Sequence, residues 1–438
     1  MPSRSGRSTG PSRRRTRANA PRVDVYLFPA VVGGGLGDIE EVLAAGRELA
    51  RAGFPVQLFR RPVHPLPRSV DGPWDWPRLV RSDRPLRRAP AAISITPAWG
   101  LSAAPGSPGA LGRPGPWAEE AAELERVYGE RSTLHVSLEE FARTLTPAEE
   151  DRERLREGGV RHRQLGHRLR ASRAAGERAA LGAAFYRFRA FDRPNVLHVF
   201  ASFRPRPAFA RAFPAAVQTG PLWSRAFANG ARRPRREWVW YASPASAERI
   251  LSDVALGLAT RPDPPRLIVR TDRPWRGTEL PRGVARVGGA VAASRWRRRF
   301  RDAEARIVTG SRTLLEAIEV GGPFLYFNGV LGEGPARRRH RPEKLTELLA
   351  LLRENGAPAD LVRDLADFGR GRRVRAVVRR ATGREGGWAR FPRRLRTGGF
   401  RAPYDDAGRL LVRVARALGR APGAAPEIVA RARAGDPL

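Results

Sequence analysis

A glycine-rich loop that ends in an acid is the first feature of the sequence that could do chemistry. It contains Gly34, Gly35 and Gly37, ends at Asp38, and leads into a segment over 39–52 whose apolar spacing predicts a helix. Glycines let a ligand approach the backbone closely, and a helix N-terminus offers free N–H groups and the positive end of its dipole. We therefore expect this first loop to face a cleft, with Asp38 as general base on a hydroxyl group. The structural alternative is that Asp38 only caps the helix.

A second strand–turn–helix segment carries hydroxyl groups, an arginine and an acid. It follows the apolar run over 305–308 and contains Gly310, Ser311, Arg312, Thr313 and Glu316. Its backbone N–H groups and hydroxyls suit a diphosphate, Arg312 adds positive charge, and the Glu316 carboxylate suits ribose hydroxyls. The alternative is that Thr313 and Glu316 form a capping box that only starts a helix.

Two tandem blocks of alternating strands and helices are predicted to hold these segments. The first block covers 22–230 with a helical insertion at about 117–190, and the second covers 237–335. Residues 336–438 are predicted to be mostly helical, and residues 1–21, rich in Arg, Ser, Pro and Gly, to be a disordered basic tail. Doubly wound sheets bind ligands at the carboxyl ends of their strands. The predicted fold class is therefore α/β, with two facing Rossmann-like doubly wound domains and a helical C-terminal region.

The composition bounds the chemistry and the partners. The chain has 438 residues with 81 Lys and Arg against 44 Asp and Glu, a net charge of +37, and no cysteine. The absence of cysteine excludes disulfides, thiolate metal sites and cysteine nucleophiles. The charge favours phosphate-bearing partners, namely nucleotide-linked substrates, an anionic membrane surface or nucleic acid. Nucleic acid is less favoured, because no zinc-finger, basic-zipper or RNA-binding motif is found.

A compositional origin of the charge stays open beside the functional one. Lys344 is the only lysine, so nearly every cation is arginine, as a GC-rich genome would encode. This explains the choice of cation but not its excess over acids. The sequence contains no apolar run near 18 residues, and we expect a cytoplasmic protein, with membrane association from the cytoplasmic side as a further expectation.

The second segment resembles the donor-binding stretch of glycosyltransferases of the B-type fold, which have two facing Rossmann-like domains. It is similar to the G-[AS]-x-T-x-x-E stretch of the peptidoglycan lipid-intermediate N-acetylglucosaminyltransferase group. The resemblance implies diphosphate contact by Gly310, Ser311 and Thr313, and ribose contact by Glu316. The first loop resembles the Gly-Gly-x-Gly-Gly-His loop of that group and the Gly-Gly-Leu-Gly-Asp loop of starch and glycogen synthases. Asp38 stands where the first of these has histidine and the second has aspartate.

The segment over 193–199, which includes the start of a predicted strand over 195–200, is similar to one found in the N-terminal domains of such enzymes, and it carries His198. This histidine is expected either at the carboxyl end of its strand, facing the cleft, or as a buried core or rim residue. The sequence departs from the synthases in lacking their lysine before the glycines. It also breaks the Glu-x7-Glu pair of retaining enzymes, because Val308 stands eight residues before Glu316. These departures favour an inverting mechanism.

The resemblance implies a glycosyltransferase that moves a hexosyl or N-acetylhexosaminyl group. The substrate would be a nucleotide diphosphate sugar, with no cofactor and no metal, and the acceptor is open, a lipid phosphate at a membrane being one candidate. No H-E-x-x-H motif and no D-x-D with acidic neighbours is found. Two alternatives stay open, a sugar-nucleotide 2-epimerase of the same fold and a non-catalytic basic nucleic-acid-binding protein.

Overall fold

The structure is a computed structural model that describes most of the two predicted blocks and the C-terminal region. The residues described are 23–28, 37–59, 80–82, 84–97, 117–140, 193–203, 215–223, 235–242, 244–271, 284–287, 293–327, 330–331, 338–339, 343–389 and 406–438. Gly34, Gly35 and the predicted basic tail lie outside them. Of Gly37, Asp38 and Ser311 the structure describes the backbone only.

The first domain is built on a seven-stranded parallel sheet in the order β3-β2-β1-β4-β5-β6-β7. Its strands are β1 Val23–Leu27, β2 Val56–Phe59, β3 Val80–Ser82, β4 Ala91–Pro97, β5 Thr133–Glu140, β6 Val196–Ala201 and β7 Ala216–Thr219. Helix α1 (Gly37–Arg51) packs on one face of the sheet and helix α2 (Trp117–Tyr128) on the other. The strand order reverses between β1 and β4, so the carboxyl end of β1, after which α1 begins, lies at the switch point of the sheet.

The second domain repeats this plan with a five-stranded parallel sheet in the order β10-β9-β8-β11-β12. Its strands are β8 Arg235–Ala242, β9 Arg266–Thr271, β10 Val284–Val287, β11 Ala303–Val308 and β12 Phe324–Tyr326, and its crossover helices are α3 Pro244–Leu258, α4 Ala293–Asp302 and α5 Ser311–Val320. A short antiparallel pair, β13 (Val330–Leu331) and β14 (Arg338–Arg339), follows. The order reverses between β8 and β11, and Gly310 lies at this second switch point, between β11 and α5.

The C-terminal helices divide between the two hydrophobic cores. The helices are α6 Glu343–Glu354, α7 Ala359–Gly369, α8 Val374–Gly383, α9 Ala407–Arg420 and α10 Ala425–Ala434. Leucines, valines and a phenylalanine of α6 to α8 join the core of the second domain. The apolar side chains of α9 and α10 instead join the core of the first domain, against α1 and the sheet. The predicted α/β class, two Rossmann-like doubly wound domains with a helical C-terminal region, is confirmed.

Strand β5 differs from the prediction of a helical insertion over about 117–190. That prediction holds for α2, but Thr133–Glu140 forms a central strand between β4 and β6. The polar residues of this segment are typical of a solvent-exposed helix, but in the structure His135 is fully buried. The imidazole Nδ1 lies 2.6 Å from the Ser94 hydroxyl, and Nε2 lies 2.9 Å from a Glu125 carboxylate oxygen. Buried polar side chains that are paired in this way do not interrupt a sheet.

A buried acid fixes the start of β1. Asp24 is fully buried and accepts hydrogen bonds from the backbone N–H groups of Arg88 and Ala89 at 2.7 and 2.8 Å. The Tyr128 hydroxyl of α2 donates a third bond at 2.8 Å. Three donors stabilise the carboxylate inside the protein, so the strand, the segment before β4 and α2 are held together.

In the second domain, Arg306 likewise holds neighbouring elements together through buried hydrogen bonds. The side chain is 1% exposed on β11 and donates to the carbonyl oxygens of Phe300 and Arg301 at 2.7 Å each and of Ala303 at 3.1 Å. These carbonyls belong to the C-terminal end of α4 and the residue after it, where backbone acceptors lack helical partners. Arg306 therefore fixes α4 to β11, the strand that leads into the Gly310 turn.

Candidate functional site

The two helices that follow the predicted sites are in contact. Helix α1 of the first domain packs against α5 of the second. Both helices start at the carboxyl edge of a parallel sheet, and Arg312, the second residue of α5, is close enough to Glu40 in the first turn of α1 to influence its ionisation. The two helices are therefore in contact at the domain junction.

The start of α5 has the local structure that an anion site requires. Gly310 is the N-cap, with extended backbone, and its N–H group donates to the Thr313 hydroxyl at 3.3 Å. The first helical bond runs from the N–H of Leu314 to the carbonyl of Gly310 at 3.0 Å, so the three preceding N–H groups have no acceptor within the helix. The hydroxyl of Thr309 donates to the Tyr241 carbonyl at 2.9 Å and ties the turn to β8.

A capping box does start this helix, but it pairs Gly310 with Thr313, so the predicted pairing of Thr313 with Glu316 is wrong. Because α5 begins at Ser311, Thr313 is its third residue and Glu316 lies in its second turn. The Thr313 hydroxyl instead contacts the Gly310 carbonyl, as donor, at 3.1 Å. Glu316 thus has no capping role that would account for its position.

Arg312 is placed differently from the expectation that it adds charge at a diphosphate. Its side chain is 3% exposed, and Nη1 donates to the carbonyl oxygen of Leu222, in the first domain, at 2.6 Å. Its Nε lies 3.9 Å from a Glu316 carboxylate oxygen one turn along the helix. Arg312 therefore directs its charge into the domain junction and links α5 to the first domain.

Glu316 is a buried carboxyl with a displaced protonation equilibrium. Burial raises the pKa of Glu316 to about 7, against the opposing attraction of Arg312, and the negative charge of Glu40 acts in the same direction as burial. At neutral pH the group therefore populates both the acid and the carboxylate form. The predicted contact with ribose hydroxyls stays a prediction, and either form of the group could make hydrogen bonds to a hydroxyl.

An ion pair across the junction was not predicted from the sequence. Arg297 of α4 donates through Nη2 to a carboxylate oxygen of Glu40 in α1, and Arg47 of α1 lies 3.4 Å from the same oxygen. Burial opposes ionisation of Glu40, but the guanidinium groups of Arg297, Arg47 and Arg312 outweigh it and lower the pKa of Glu40. Burial and the neighbouring Arg297 lower the pKa of Arg47 to about 10. We call Glu40, Arg47, Arg297, Arg312 and Glu316 the junction cluster.

The sequence contains only part of the information needed to predict the junction cluster. Glu40 and Arg47 are seven residues apart and so lie on one face of α1. Arg297 belongs to the dense basic run over 295–301, which the sequence alone marks only as positive charge. The pairing itself joins residues 257 positions apart, and no local pattern reports it.

His198 lies inside the sheet. It is the third residue of β6 and is fully buried, so the core interpretation applies and the cleft-facing one does not. Burial, with a contribution from the Arg433 charge, lowers the pKa of His198 to about 3. The imidazole is therefore neutral at physiological pH and is not placed to exchange protons with a ligand.

Three polar residues in the first domain are hydrogen-bonded in the order serine, histidine, acid, as in a catalytic triad, but a substrate cannot reach the serine. The Ser94 hydroxyl is hydrogen-bonded to the His135 imidazole, which is hydrogen-bonded to the Glu125 carboxylate. Ser94 and His135 are both fully buried, so no substrate reaches the hydroxyl. Among the described residues, no group of three or more His, Cys, Asp or Glu side chains is placed to hold a metal ion. No helix in the described part of the chain is long and apolar enough to cross a membrane.

Among known proteins, this chain is similar in structure to several solved structures. No protein-family model and no curated protein matches the sequence. A variant of Os79 from O. sativa, in complex with UDP, is 12% identical with a TM-score of 0.46, over 90% of this chain and 100% of that one. UGT2 from Phytolacca americana, complexed with UDP-2fluoro-glucose and pterostilbene, is 11% identical with a TM-score of 0.42, over 95% and 99%. The glycosyltransferase SnogD from Streptomyces nogalater is 13% identical with a TM-score of 0.34, over 86% and 97%.

Proposed function

We propose that this chain is a glycosyltransferase that moves a sugar from a nucleotide diphosphate sugar to an acceptor hydroxyl. One observation carries the proposal: the turns predicted to serve donor and acceptor begin α5 and α1, at the switch points of two parallel sheets, and these two helices are in contact. Switch points are where doubly wound sheets bind ligands. Bringing two of them together provides adjacent places for two substrates.

The donor diphosphate would bind at the start of α5. The N–H groups of residues 311–313, which make no bond within the helix, and the positive end of the helix dipole would there stabilise the charge that develops on a leaving diphosphate. Gly310 allows close approach, and the Thr313 hydroxyl would exchange its bond to the Gly310 carbonyl for one to a phosphate oxygen. Glu316 would accept from the ribose, and Arg312 would act indirectly, by holding α5 to the first domain.

The transfer step would be inverting and would need no metal ion. The acceptor oxygen attacks the anomeric carbon from the face opposite the diphosphate, its proton passes to the Asp38 carboxylate, and the bond from the anomeric carbon to the diphosphate oxygen breaks. The nucleoside diphosphate leaves with the bonding electron pair. Its negative charge would be stabilised by the N–H groups at the start of α5 rather than by a metal cation. The sugar transferred is expected to be a hexose or an N-acetylhexosamine.

Turnover and ligand binding test this proposal together. Asp38→Asn should lower turnover by about 10²–10⁴-fold while leaving donor binding nearly intact. A nucleotide sugar at 100 times its Kd should stabilise the protein by about 2.7 kcal/mol in a thermal-shift panel. Asp436→Asn, the same change at an exposed site on the C-terminal segment, is the control. Full activity of Asp38→Asn would remove the assignment of the base, and no shift with any nucleotide would remove the proposed function.

Two further assays separate the alternatives. A 2-epimerase would convert a labelled nucleotide sugar with no acceptor present. A nucleic-acid-binding protein would bind DNA or RNA with steep salt dependence and show no response to nucleotide sugars.

The basic surface of α9 supports an acceptor that lies at a membrane. Arg409, Arg413, Arg416 and Arg420 are exposed on one face of this helix, while its other face packs into the first domain. Each arginine near an anionic leaflet contributes about 1 kcal/mol of attraction. We therefore include in the proposal that the enzyme docks on an anionic membrane surface from the cytoplasmic side and uses a lipid-phosphate acceptor.

Vesicle sedimentation tests the docking. Wild type should pellet with phosphatidylglycerol vesicles and stay in solution with phosphatidylcholine vesicles, and changing the four α9 arginines to Gln should abolish pelleting. The control changes four exposed arginines of the second domain to Gln, which removes the same charge elsewhere: Arg353, Arg363, Arg379 and Arg384. Equal partitioning of the wild type onto both vesicles would refute the docking.

A further inference from the structure

The Glu40–Arg297 pair is an ionic contact between side chains of the two domains. Glu40 is 18% exposed in the first turn of α1, and Arg297 is 16% exposed on α4. Arg47, the other cation beside Glu40, lies on α1 itself and so cannot fix α1 relative to the second domain. Arg312 reaches across to the first domain as well, but to the Leu222 carbonyl rather than to α1. The Glu40–Arg297 pair is thus an ionic contact that joins α1 to α4.

The position of this pair connects it to both predicted substrate sites. Glu40 follows Asp38 by two residues, which in a helix is about 3 Å along the axis. Arg297 lies on α4, which Arg306 fixes to β11, and β11 leads directly into the Gly310 turn. A shift at Glu40 therefore moves the start of α1, and a shift at Arg297 is passed to α4 and the strand before the turn.

We propose that the Glu40–Arg297 pair is a positioning contact that holds the start of α1 against the start of α5. The proposal rests on the proposed function in naming these two helix starts as the place of reaction, but the contact itself does not. Removing Arg297 leaves Glu40 beside Arg47 of its own helix, so this ion pair no longer joins the two domains. Removing Glu40 leaves the guanidinium groups of Arg47 and Arg297 close together without the acid between them, and the junction must admit water to solvate them. The starts of α1 and α5 then lose their fixed separation. A misplacement of about 1 Å between reacting groups can cost about 10²-fold in rate.

The distance between the domains can be measured without reference to activity. The chain has no cysteine, so Leu86→Cys and Leu256→Cys introduce two unique labelling sites, one in each domain, at leucines that are 38% and 48% exposed. Spin labels at these sites report the distribution of distances by pulsed electron resonance. Arg297→Gln should broaden or displace the distribution, and Arg297→Lys, which keeps the charge, should restore much of it. Arg298→Gln, an exposed neighbour on the same helix, is the matched control and should change nothing.

The kinetic test separates positioning from donor binding. Arg297→Gln should lower kcat by about 10²-fold. The KM for the nucleotide sugar should stay within about two-fold, because the residues proposed to bind the donor are not part of the pair. Glu40→Gln should give the same two results, and the double variant should lose little more than either single variant. If Arg297→Gln does not fold, Glu40→Gln, which keeps the shape of the side chain, carries both measurements.

Each outcome decides a stated point. Unchanged distance distributions in Arg297→Gln and Glu40→Gln would overturn the positioning contact. A broadened distribution with unchanged kcat would overturn its role in the reaction. Absence of nucleotide-sugar turnover in the wild type would overturn the proposed function alone, since the distance measurement decides the contact by itself.

Discussion

Replacing Glu316 with glutamine tests the electrostatic description of the domain junction. Burial raises the pKa of this carboxyl to about 7 from an ordinary value of 4.5, with Arg312 opposing the change. The folded protein therefore binds the proton more tightly than the unfolded chain does between these two values. The stability due to the protonated form is fully present below about pH 4.5 and is lost as the pH rises through about 7.

The magnitude follows from the size of the displacement. A change in pKa from 4.5 to about 7 corresponds to about 3 kcal/mol. Glutamine carries no charge at any pH and so removes this dependence. The free energy of unfolding of Glu316→Gln, minus that of the wild type, should therefore grow by about 3 kcal/mol between pH 4.5 and pH 8. Because the cluster arginines lower the pKa of Glu40, that second acid stays ionised over most of this range.

Urea unfolding at several pH values between 4.5 and 8, followed by tryptophan fluorescence, measures the difference directly. Wild type and variant are compared at each pH, so the titration of groups outside the junction cancels. Glu354→Gln, an exposed acid at the end of α6, is the control and should give a difference that is flat with pH. A flat or falling difference for Glu316→Gln would refute the reasoning, because it would show that the carboxyl ionises in the fold as easily as in the unfolded chain.

Three further predictions concern the framework of the site, each checked by urea or thermal unfolding. Arg306→Met should lower the free energy of unfolding by about 3–5 kcal/mol, since it leaves several buried carbonyl oxygens without a donor; a loss below about 1 kcal/mol would contradict this. Asp24→Asn should cost about 2–3 kcal/mol, because three bonds lose their ionic character, and unchanged stability would argue against a buried carboxylate. Gly257→Ala should destabilise by about 1–3 kcal/mol despite the helical preference of alanine, because the added Cβ would lie 2.8 Å from the Cβ of Val378; a stabilised variant would show that α3 and α8 can separate freely.

Strands whose residues are nearly all apolar were predictable from the sequence. The runs that became β1, β6 and β11 are short, apolar and bounded by turn signals, and the periodicity changes from strand to helix after each glycine turn. The strand β5 was not predictable in this way. Its buried Thr133, His135 and Ser137 alternate with apolar residues, and only the tertiary structure supplies partners such as Ser94 and Glu125 that make such burial acceptable.

The candidate site was predictable in its backbone but not in its side-chain partners. Small residues at Gly310 and Ser311 indicate a helix start after a strand, and the structure has one there. What Arg312 contacts depends on the Leu222 carbonyl of the other domain, 90 residues away in the sequence. Contacts between domains follow from how the two sheets are arranged, and a local pattern of residues carries no information about that arrangement.

The return of α9 and α10 to the first domain has a consequence for how the protein is made. Domains tend to fold in the order in which they leave the ribosome. Here the sheet that is synthesised first keeps part of its apolar face uncovered until Leu410, Val414 and Ile428 have been translated. The second domain has by then emerged complete, with α6 to α8 in place. The N-terminal half of the chain must therefore finish folding last, and a ribosome stalled before residue 407 would hold an exposed hydrophobic surface that chaperones recognise.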